Sequence, residues 1–417
     1  MFLKYLRNIF TGKKNSRKIL LIIFLVYGFS MVGYGIAKGF LNNDRLLPGD
    51  QLVYRVTGGN LARGLGYTFD GKTPHGIYQI GYPIFLGALF KIFGHKIVPV
   101  VITQYVLGIA NFFLFLQIVR LIVASEPVRY ISIFLYFTNH IIVYFPSLIL
   151  SETLGIFLFF LFLLFSLRYF ISYKKRHIFI ASIFFGCLIL VRNKFQLLPL
   201  FFLLASLITH RKYFFKEAVL FFLVSVIIIS PVLIRNKNAF GQYKLSFHGG
   251  NFFYLGMKCS TKEKLHKTNK EAIPTLAQED SEYFKLFFED IYRHPLRATK
   301  NYIGNFVRLN FPLRALDSKK HISFLRRLVT VKNIFLFLGI GWCLVVKKRF
   351  LFLGKRIDFV FLSLLFLYDN FVSSFGLTGD MRLGLYSHIL LYFIFVLSIE
   401  SCLEMHNIRS IKSKNIR

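Results

Sequence analysis

Apolar residues occur along the chain in blocks of about 20, in which Phe, Leu and Ile follow one another with few charges between them. Blocks of this length can cross the hydrocarbon core of a bilayer as helices. The strands of a β-barrel would instead alternate polar and apolar side chains with a period of two. The pattern therefore predicts an all-α polytopic membrane protein with about ten transmembrane helices. The predicted spans are 19–37, 97–119, 130–149, 153–171, 178–191, 195–209, 217–234, 331–346, 357–375 and 383–403.

A further apolar stretch, residues 80–94, is too short for a span and is predicted to be a helix on the membrane surface. With this helix on the surface, most Lys and Arg residues of the short loops fall on the same side as both termini. Cytoplasmic loops collect Lys and Arg, so both termini are predicted to be cytoplasmic. The same rule places the loops at 120–129, 174–177 and 347–356 in the cytoplasm.

Two longer regions are then predicted on the outer side, residues 38–96 and residues 235–330. The second contains an amphipathic pattern over 281–292 with apolar residues three and four positions apart, which predicts a helix that ends at His294-Pro295. No internal repeat or separate soluble domain is evident. The prediction is one integral membrane domain over 1–404, with the outer loop 38–96, a helical cap over 235–330 and outer-face juxtamembrane helices, followed by a basic cytoplasmic tail over 405–417.

Composition and charge agree with this class of protein. Of the 417 residues 55% are hydrophobic and 17% are charged, whereas a soluble protein carries about 25% charged residues. The net charge of +34 would indicate nucleic acid in a soluble protein, but here it follows from basic cytoplasmic loops, so no nucleic-acid partner is predicted. The four cysteines form no CxxC pair, and neither a disulfide framework nor a zinc site is predicted. The first apolar block is too long for a signal-peptide core and is interpreted as a transmembrane helix.

Acidic residues are rare, and two of them stand at predicted outer boundaries of spans. Asp50 follows a Pro-Gly turn, which is typical of a helix N-cap, but its carboxylate would also suit a general base at the membrane surface. Glu152 lies between two apolar spans with almost no loop, where a carboxylate either caps the next helix or marks a functional site. Asp369 and Glu400 are also flanked by apolar sequence, and structural roles are expected for them.

Basic residues on the predicted outer side run against the positive-inside bias and suggest an anionic ligand. Arg192, Arg235 and Arg382 stand there in separate clusters. A guanidinium group binds phosphate oxygens in bidentate fashion, although each of these side chains could also simply extend to the membrane interface. The three arginines are predicted on the same side of the membrane as Asp50 and Glu152, which favours a phosphate site there.

These residues resemble a known family. Pro48-Gly49-Asp50-x-x-x-Tyr54, Gly64-x-Gly66-Tyr67 and Gly81-Tyr82-Pro83 are similar to the first outer loop of glycosyltransferases of the GT-C fold that use lipid-linked sugars. More narrowly, they resemble the bacterial dolichyl-phosphate-mannose-protein mannosyltransferase and aminoarabinose transferase group. Further matching fragments follow in the same order over nearly the whole chain: Leu150-Ser151-Glu152, Ser230-Pro231-x-x-x-Arg235-Asn236, Phe240-Gly241, Gly249-Gly250-Asn251, His294-Pro295 and Arg382.

The resemblance implies roles for individual residues. Asp50 matches the catalytic aspartate of the family and Glu152 its second acidic position. Arg192, Arg235 and Arg382 fall where basic residues face the lipid phosphate, and Tyr54, Tyr82 and Asn236 belong to the matching motifs as substrate-positioning residues. Where many relatives have a basic residue and prolines before Gly-Tyr-Pro, this chain has Tyr78-Gln79-Ile80.

The implied activity is transfer of a sugar from a polyprenyl-phosphate donor to an acceptor hydroxyl of a glycan, lipid or protein, at the outer face of the bacterial inner membrane. Asp50 would be the general base of an inverting displacement. No nucleotide cofactor is required, which agrees with the absence of a P-loop. Glu152 would position the acceptor or bind a divalent cation, and the sequence leaves both open. A flippase for lipid-linked sugars and a glycan polymerase are the alternative functions.

Overall fold

The computed structural model describes most of the chain. The described residues are 14–39, 41–43, 47, 49–199, 212–257, 276–311, 320–343, 357–375 and 385–414. The regular secondary structure in these ranges is helical, turns and loops connect the helices, and the one β-type contact described is an isolated bridge between Thr68 and Pro74. The all-α prediction is therefore confirmed.

Fifteen α-helices make up the described part of the chain. They are α1 (Lys14–Ala37), α2 (Asp50–Ala62), α3 (Gly81–Phe93), α4 (Ile97–Ile122), α5 (Glu126–Phe137), α6 (His140–Tyr144), α7 (Glu152–Ser172), α8 (Lys175–Val191), α9 (Lys212–Phe240), α10 (Gly249–Met257), α11 (Leu276–Arg293), α12 (Pro295–Asn310), α13 (Lys320–Gly341), α14 (Ile357–Ser374) and α15 (Leu385–Lys414).

Four of these helices are long and apolar enough to cross a membrane. Among the described residues they are Ile97–Ile122, Glu152–Ser172, Phe215–Phe240 and Leu385–Leu403. Shorter apolar helices accompany them, over Phe24–Ala37, Gly81–Phe93 and Val329–Gly341. Since the backbone polar groups of a helix bond to one another, such segments can lie in lipid. The chain is a multi-pass membrane protein.

The span predicted over 130–149 is not one helix. The helix α5 ends at Phe137, α6 is a single short turn, and a 3₁₀ turn covers Phe145–Ser147. Pro146 lies in this 3₁₀ turn, where its missing N–H and its ring prevent an α-helix from continuing. Hydropathy alone did not reveal these breaks. The predicted span 195–209 lies mostly outside the described residues.

Helix α7 is at the centre of the bundle, where it packs against α4 and α8. Its Phe159, Phe160 and Phe162 are fully buried. On the other side of the bundle α15 packs against α5, α13 and α14. The long apolar runs of the sequence are thus divided between this aromatic core and a lipid-facing surface.

The short helix predicted over 80–94 is present as α3, Gly81–Phe93, and it packs tightly against α2. Thirteen residues of helix are only about 20 Å long, too short to span a bilayer. The two helices approach closely because Gly58 faces Leu86 and Gly87 faces Leu61. This contact fixes the position of the first turn of α2, which carries Asp50.

Replacing Gly58 by Ala is expected to destabilise this helix pair. The added Cβ would lie 2.7 Å from the Cβ of Leu86, an atom held directly by the backbone of α3. Overpacking of this kind costs about 1–3 kcal/mol. Thermal unfolding of the purified protein measures the effect. Gly28→Ala is the matched control because nothing lies within 4 Å of its added Cβ, and an equal loss in both variants would contradict the close approach.

The predicted cap is formed by α10, α11 and α12. The amphipathic helix α11 ends at Arg293 and α12 starts at Pro295, so the break predicted at His294-Pro295 is present. The buried Asp280 joins these elements, since its carboxylate accepts hydrogen bonds from the Gly250 N–H at 2.8 Å and from Lys244 Nζ at 2.9 Å. Gly250 has no room for a side chain, because a Cβ there would lie against the Asp280 carbonyl.

Candidate active site

Asp50 is the first residue of α2. Gly49 precedes it with φ of 57°, in the left-handed region that favours glycine. The Gly49 carbonyl already accepts the N–H groups of Leu52 and Val53, so Gly49 is the N-cap residue and Asp50 the first helical one. A carboxylate in the first turn is stabilised by the positive end of the helix dipole. The interpretation of Asp50 as the N-cap residue is therefore wrong by one residue. Gly49 is the N-cap, and Asp50 follows it.

The Asp50 carboxylate is held by Tyr78. The Tyr78 hydroxyl donates to Asp50 Oδ1 at 2.9 Å, and the Tyr78 carbonyl accepts a bond from the Tyr67 hydroxyl at 3.0 Å. The Tyr78 ring is also stacked near His75 and His248, at centroid distances of 6.0 and 6.3 Å. Sequence reasoning missed Tyr78. The one sequence feature that could have drawn attention to Tyr78 is that Tyr78-Gln79-Ile80 stands where many members of the resembled family have a basic residue and prolines.

The predicted positioning residue Tyr54 lies directly behind Asp50. It is buried, and its ring contacts those of Tyr78 and Tyr82 edge to face, with centroids 5.5 and 4.9 Å apart. Burial raises the pKa of the Tyr54 phenol, and the charges of Arg192, Glu152 and Asp50 all act on it. Both predicted acidic residues, Asp50 and Glu152, are therefore within electrostatic range of the Tyr54 phenol.

Tyr82, also predicted to position a substrate, has its hydroxyl engaged inside the protein. It donates to Gln104 Oε1 at 2.8 Å, and Gln104 Nε2 donates to the carbonyls of Pro146 and Leu148 at 3.1 and 2.7 Å. These bonds tie α3 and α4 to the irregular segment that precedes α7. In this arrangement Tyr82 supports the Tyr54 ring.

Glu152 and Arg192, which are far apart in sequence, form an ion pair. Their Oε1 and Nη2 atoms are 2.6 Å apart, and the Glu152 side chain is only 2% exposed. Glu152 is the first residue of α7 and Arg192 follows the last residue of α8. Because Gly155 lacks a side chain, the Tyr386 hydroxyl can lie against its backbone, close to the Arg192 side chain. A predicted acidic position and a predicted phosphate-binding position thus share one buried site.

A second buried ion pair lies beside the first. Lys194 Nζ is 2.6 Å from Asp369 Oδ1, and Asp369 is fully buried. Ser387 donates to the other Asp369 oxygen. The Lys194 ammonium also lies 4.6 Å from the centroid of the Tyr386 ring, whose edge packs near Arg192. Neither residue had been predicted to belong to the site.

Arg235 binds the backbone of the first loop. Its Nη1 donates to the His75 carbonyl and to Asn236 Oδ1, both at 2.7 Å, and its Nη2 donates to the Tyr67 carbonyl at 3.0 Å. The guanidinium lies 5.3 Å from the centroid of the Tyr67 ring and 5.4 Å from that of Phe240. Asn236 is buried and donates to the Lys244 carbonyl at 2.6 Å. These contacts connect the end of α9 with the loop that carries Tyr78.

A groove opens next to this guanidinium. It has a volume of about 740 Å³ and is lined by one face of α9 and by the first loop. The lining residues are Pro74, Pro231, Ile234, Arg235, Asn238 and Ala239. An apolar groove with a cation at its end suits an anionic lipid-like molecule.

Arg382, the third predicted phosphate-binding residue, lies outside the described residues. Within the part of the chain that is described, no three His, Cys, Asp or Glu side chains lie together as metal ligands.

His75 is expected to make the loop sensitive to acid. Burial and, secondarily, the Arg235 charge lower the pKa of His75 from 6.5 to about 4. The neutral form is favoured in the folded loop, so this stabilisation is present above about pH 6.5 and is lost as the pH falls towards 4. The melting temperature should decrease less between pH 7 and pH 5 in His75→Gln than in the wild type. The exposed His294→Gln is the control, and identical pH profiles for all three proteins would contradict the expectation.

The described elements thus bring Asp50, Tyr54, Glu152, Arg192 and Arg235 together at one end of the bundle. The site combines a carboxylate at a helix start, partly buried guanidinium and ammonium groups, and an adjoining apolar groove. A carboxylate of this kind can accept a proton, and the cations can stabilise negative charge.

No protein-family model and no curated protein sequence matches the chain. Among solved structures, the chain is similar to the crystal structure of ArnT from Cupriavidus metallidurans bound to undecaprenyl phosphate. The sequence identity is 11% and the TM-score 0.45, over 92% of this chain and 77% of the other. At this identity and score the likeness alone decides neither fold nor function.

Proposed function

We propose that this protein is a glycosyltransferase of the GT-C type, which transfers a sugar from a polyprenyl-phosphate donor to an acceptor hydroxyl with Asp50 as general base. The observation that carries the proposal is the position of the Asp50 carboxylate. It lies at the start of α2 and is held by the Tyr78 hydroxyl at 2.9 Å. The Glu152–Arg192 ion pair is near enough that its charges, like that of Asp50, act on the Tyr54 phenol. A proton acceptor and a set of cations in one site are what this reaction requires.

In the proposed reaction the acceptor hydroxyl attacks the anomeric carbon of the donor while Asp50 takes its proton. The bond from that carbon to the phosphate oxygen breaks on the opposite side, and the electron pair leaves with the lipid phosphate. The configuration at the anomeric carbon is therefore inverted. General-base assistance of this kind contributes about 10²–10⁴-fold to the rate.

The departing phosphate is assigned to Arg192, together with Arg235 and Arg382. A guanidinium carries five N–H donors, more than one carboxylate uses, so Arg192 can bind an oxyanion while it remains paired with Glu152. Glu152 holds Arg192 in place, and Tyr54, Tyr82 and Asn236 hold the walls of the site. The lipid chain of the bound donor is proposed to extend from the site into the bilayer. The reaction requires no nucleotide.

We place the reaction at the outer face of the bacterial inner membrane, with both termini in the cytoplasm. The support is the concentration of Lys and Arg in the short loops on the opposite side. A donor that carries its own leaving group on a lipid needs no soluble nucleotide, which is consistent with chemistry outside the cytoplasm. The acceptor is a glycan, a lipid or a protein.

The proposal is tested by incubating the purified protein in lipid nanodiscs with a panel of polyprenyl-phosphate sugars and acceptors. The expected result is release of the polyprenyl phosphate together with a glycosylated acceptor of inverted anomeric configuration. In proteoliposomes, movement of the intact donor from one leaflet to the other without release of the phosphate would instead indicate a flippase.

Tyr78→Phe is expected to lower turnover by about tenfold with little change in thermal stability. The variant keeps the stacked ring but loses the hydroxyl that orients Asp50, and a hydrogen bond to a charged group contributes about 1.5–3 kcal/mol. Steady-state kinetics with the active donor measure the effect, which should appear in kcat rather than in KM. Tyr283→Phe, in the cap, is the control. Full activity of Tyr78→Phe would show that Asp50 does not depend on this bond.

A further inference from the structure

Two thiols lie in contact where α13 ends against α15. Cys343 stands just after the last residue of α13, and Cys402 is in α15, 59 residues further along the chain. Their Sγ atoms are 3.2 Å apart, whereas the sulfurs of a disulfide are about 2.0 Å apart. Both cysteines are free thiols in the structure. A relative movement of about 1 Å would therefore be enough to join them.

The thiol contact is the last of a series along the seam between α13 and α15. Lys332 Nζ donates to the Tyr392 hydroxyl at 2.6 Å. Further along the seam, Gly339 has no room for a side chain, because a Cβ there would lie against the edge of the Phe395 ring. The partners advance in the same direction along both helices, so the helices run parallel in a fixed register. Helix packing, and not the side-chain rotamers alone, therefore brings the two sulfurs together.

The thiol pair lies far from the candidate active site. Tyr386, near the start of α15, belongs to that site, and the sixteen residues from Tyr386 to Cys402 correspond to about 24 Å of helix. Beside Cys402, Glu400 accepts hydrogen bonds from the N–H groups of Ala124 and Ser125, both at 2.8 Å. These two residues belong to a loop that is predicted to be cytoplasmic. The thiols are thus on the predicted cytoplasmic side, where glutathione and thioredoxin keep cysteines reduced.

The two thiols differ in exposure, which gives their oxidation an order. Cys402 is partly exposed, whereas Cys343 is only 2% exposed. Hydrogen peroxide oxidises an accessible thiol to a sulfenic acid and is itself reduced to water. The second thiol then attacks the sulfenic sulfur, so that the S–S bond forms, the S–O bond breaks and the oxygen leaves as water with the thiol proton. In total, two thiols are oxidised to one disulfide and one peroxide is reduced to two waters.

We propose that Cys343 and Cys402 are a site of reversible oxidation, in which peroxide oxidises Cys402 first and Cys343 then closes a disulfide with it. The bond fixes the adjoining ends of α13 and α15 to each other. Thiol–disulfide exchange with a cytoplasmic dithiol protein restores both thiols. In a reducing compartment such a pair is typical of a redox sensor and not of a structural disulfide. The proposal is independent of the reaction that the candidate active site performs.

Counting the free thiols tests whether the bond forms. The chain has four cysteines, so the reduced protein, denatured and treated with a maleimide-polyethylene glycol, should shift by four units on a gel. After hydrogen peroxide treatment in nanodiscs the expected shift is two units, and dithiothreitol should restore four. A non-reduced digest should contain the peptide pair that joins Cys343 to Cys402, as detected by mass spectrometry. Cys187→Ser, which removes a cysteine of α8, is the control and should form the same peptide pair.

Single replacements test the order of the two steps. In Cys343→Ser the sulfenic acid at Cys402 has no thiol to resolve it, so dimedone should label Cys402 after peroxide treatment. In Cys402→Ser the buried Cys343 remains, and its labelling should be at least about tenfold weaker. Cys343→Ala and Cys402→Ala are the second pair of variants if a serine variant does not fold.

Three results would overturn the proposal. Four free thiols after a peroxide treatment that fully oxidises glutathione in the same sample would show that the two cysteines only pack against each other. A cross-linked dimer on a non-reducing gel would show that the sulfurs pair between two chains instead of within one. Stronger dimedone labelling of Cys343 in Cys402→Ser than of Cys402 in Cys343→Ser would contradict the assignment of Cys402 as the sulfur that reacts first.

Discussion

Replacing Asp50 by Asn is expected to lower turnover of a polyprenyl-phosphate sugar by about two to four orders of magnitude while the melting temperature hardly moves. Asn has nearly the same volume and keeps an oxygen that can accept the 2.9 Å hydrogen bond from Tyr78. The amide cannot take a proton from an attacking hydroxyl. The change thus removes the proposed chemical step and leaves the local structure in place. Initial rates with saturating donor and acceptor measure the loss of turnover.

Asp70→Asn is the control for this experiment. Asp70 belongs to the same loop region, but its exposed carboxylate accepts the N–H groups of Lys72 and Thr73 at 2.9 and 2.7 Å and forms a local turn. A hydrogen bond from the Thr73 hydroxyl, together with these two backbone bonds, lowers the pKa of Asp70 to about 2. An Asn side chain can retain both backbone contacts, so activity should stay near that of the wild type. Comparable activity in the Asp50 and Asp70 variants would remove Asp50 from the mechanism.

Asp369→Asn is expected to cause a large loss of stability, of about 3–5 kcal/mol. The change leaves the Lys194 ammonium without its carboxylate partner, in a region where Asp369 is fully buried and Lys194 is only 16% exposed. Removing one member of a buried ion pair is costly because the remaining charge is not compensated. Thermal unfolding in detergent or nanodiscs measures the change as a decrease in melting temperature.

Two further variants separate the charge effect from other causes. Asp358→Asn changes a carboxylate in the first turn of the same helix and should alter stability by less than about 0.5 kcal/mol. The double change of Asp369→Leu and Lys194→Met removes both charges and should restore most of the stability, since an apolar pair can replace a buried ion pair at little cost. If Asp369→Asn were as stable as Asp358→Asn, the two charges would not interact in the folded protein.

Sequence reasoning predicted the class of the fold because the bilayer imposes it locally. A run of apolar residues such as that in 153–171 has one stable arrangement in lipid, a helix whose backbone groups bond to one another. The break at His294-Pro295 was equally readable, because proline lacks the N–H that would continue the preceding helix. The position of Asp50 at a helix start followed from the Pro-Gly turn, to within one residue. The span 130–149 was predicted as too continuous, because hydropathy was followed there without the break that Pro146 imposes.

The grouping of side chains within the candidate site was decided by the tertiary structure. Nothing in the sequence joins Glu152 to Arg192, Lys194 to Asp369, or Tyr78 to Asp50, because each pair depends on how separate helices cross. Arg235 illustrates the difference, since its sequence suggested an anion site, and only the structure shows that its guanidinium also binds the carbonyls of Tyr67 and His75. Hydropathy and motifs report the environment of each residue along the chain. Ion pairs and hydrogen bonds act over a few ångströms in space, so they are fixed only when close contacts such as that of Gly58 with Leu86 bring distant segments together.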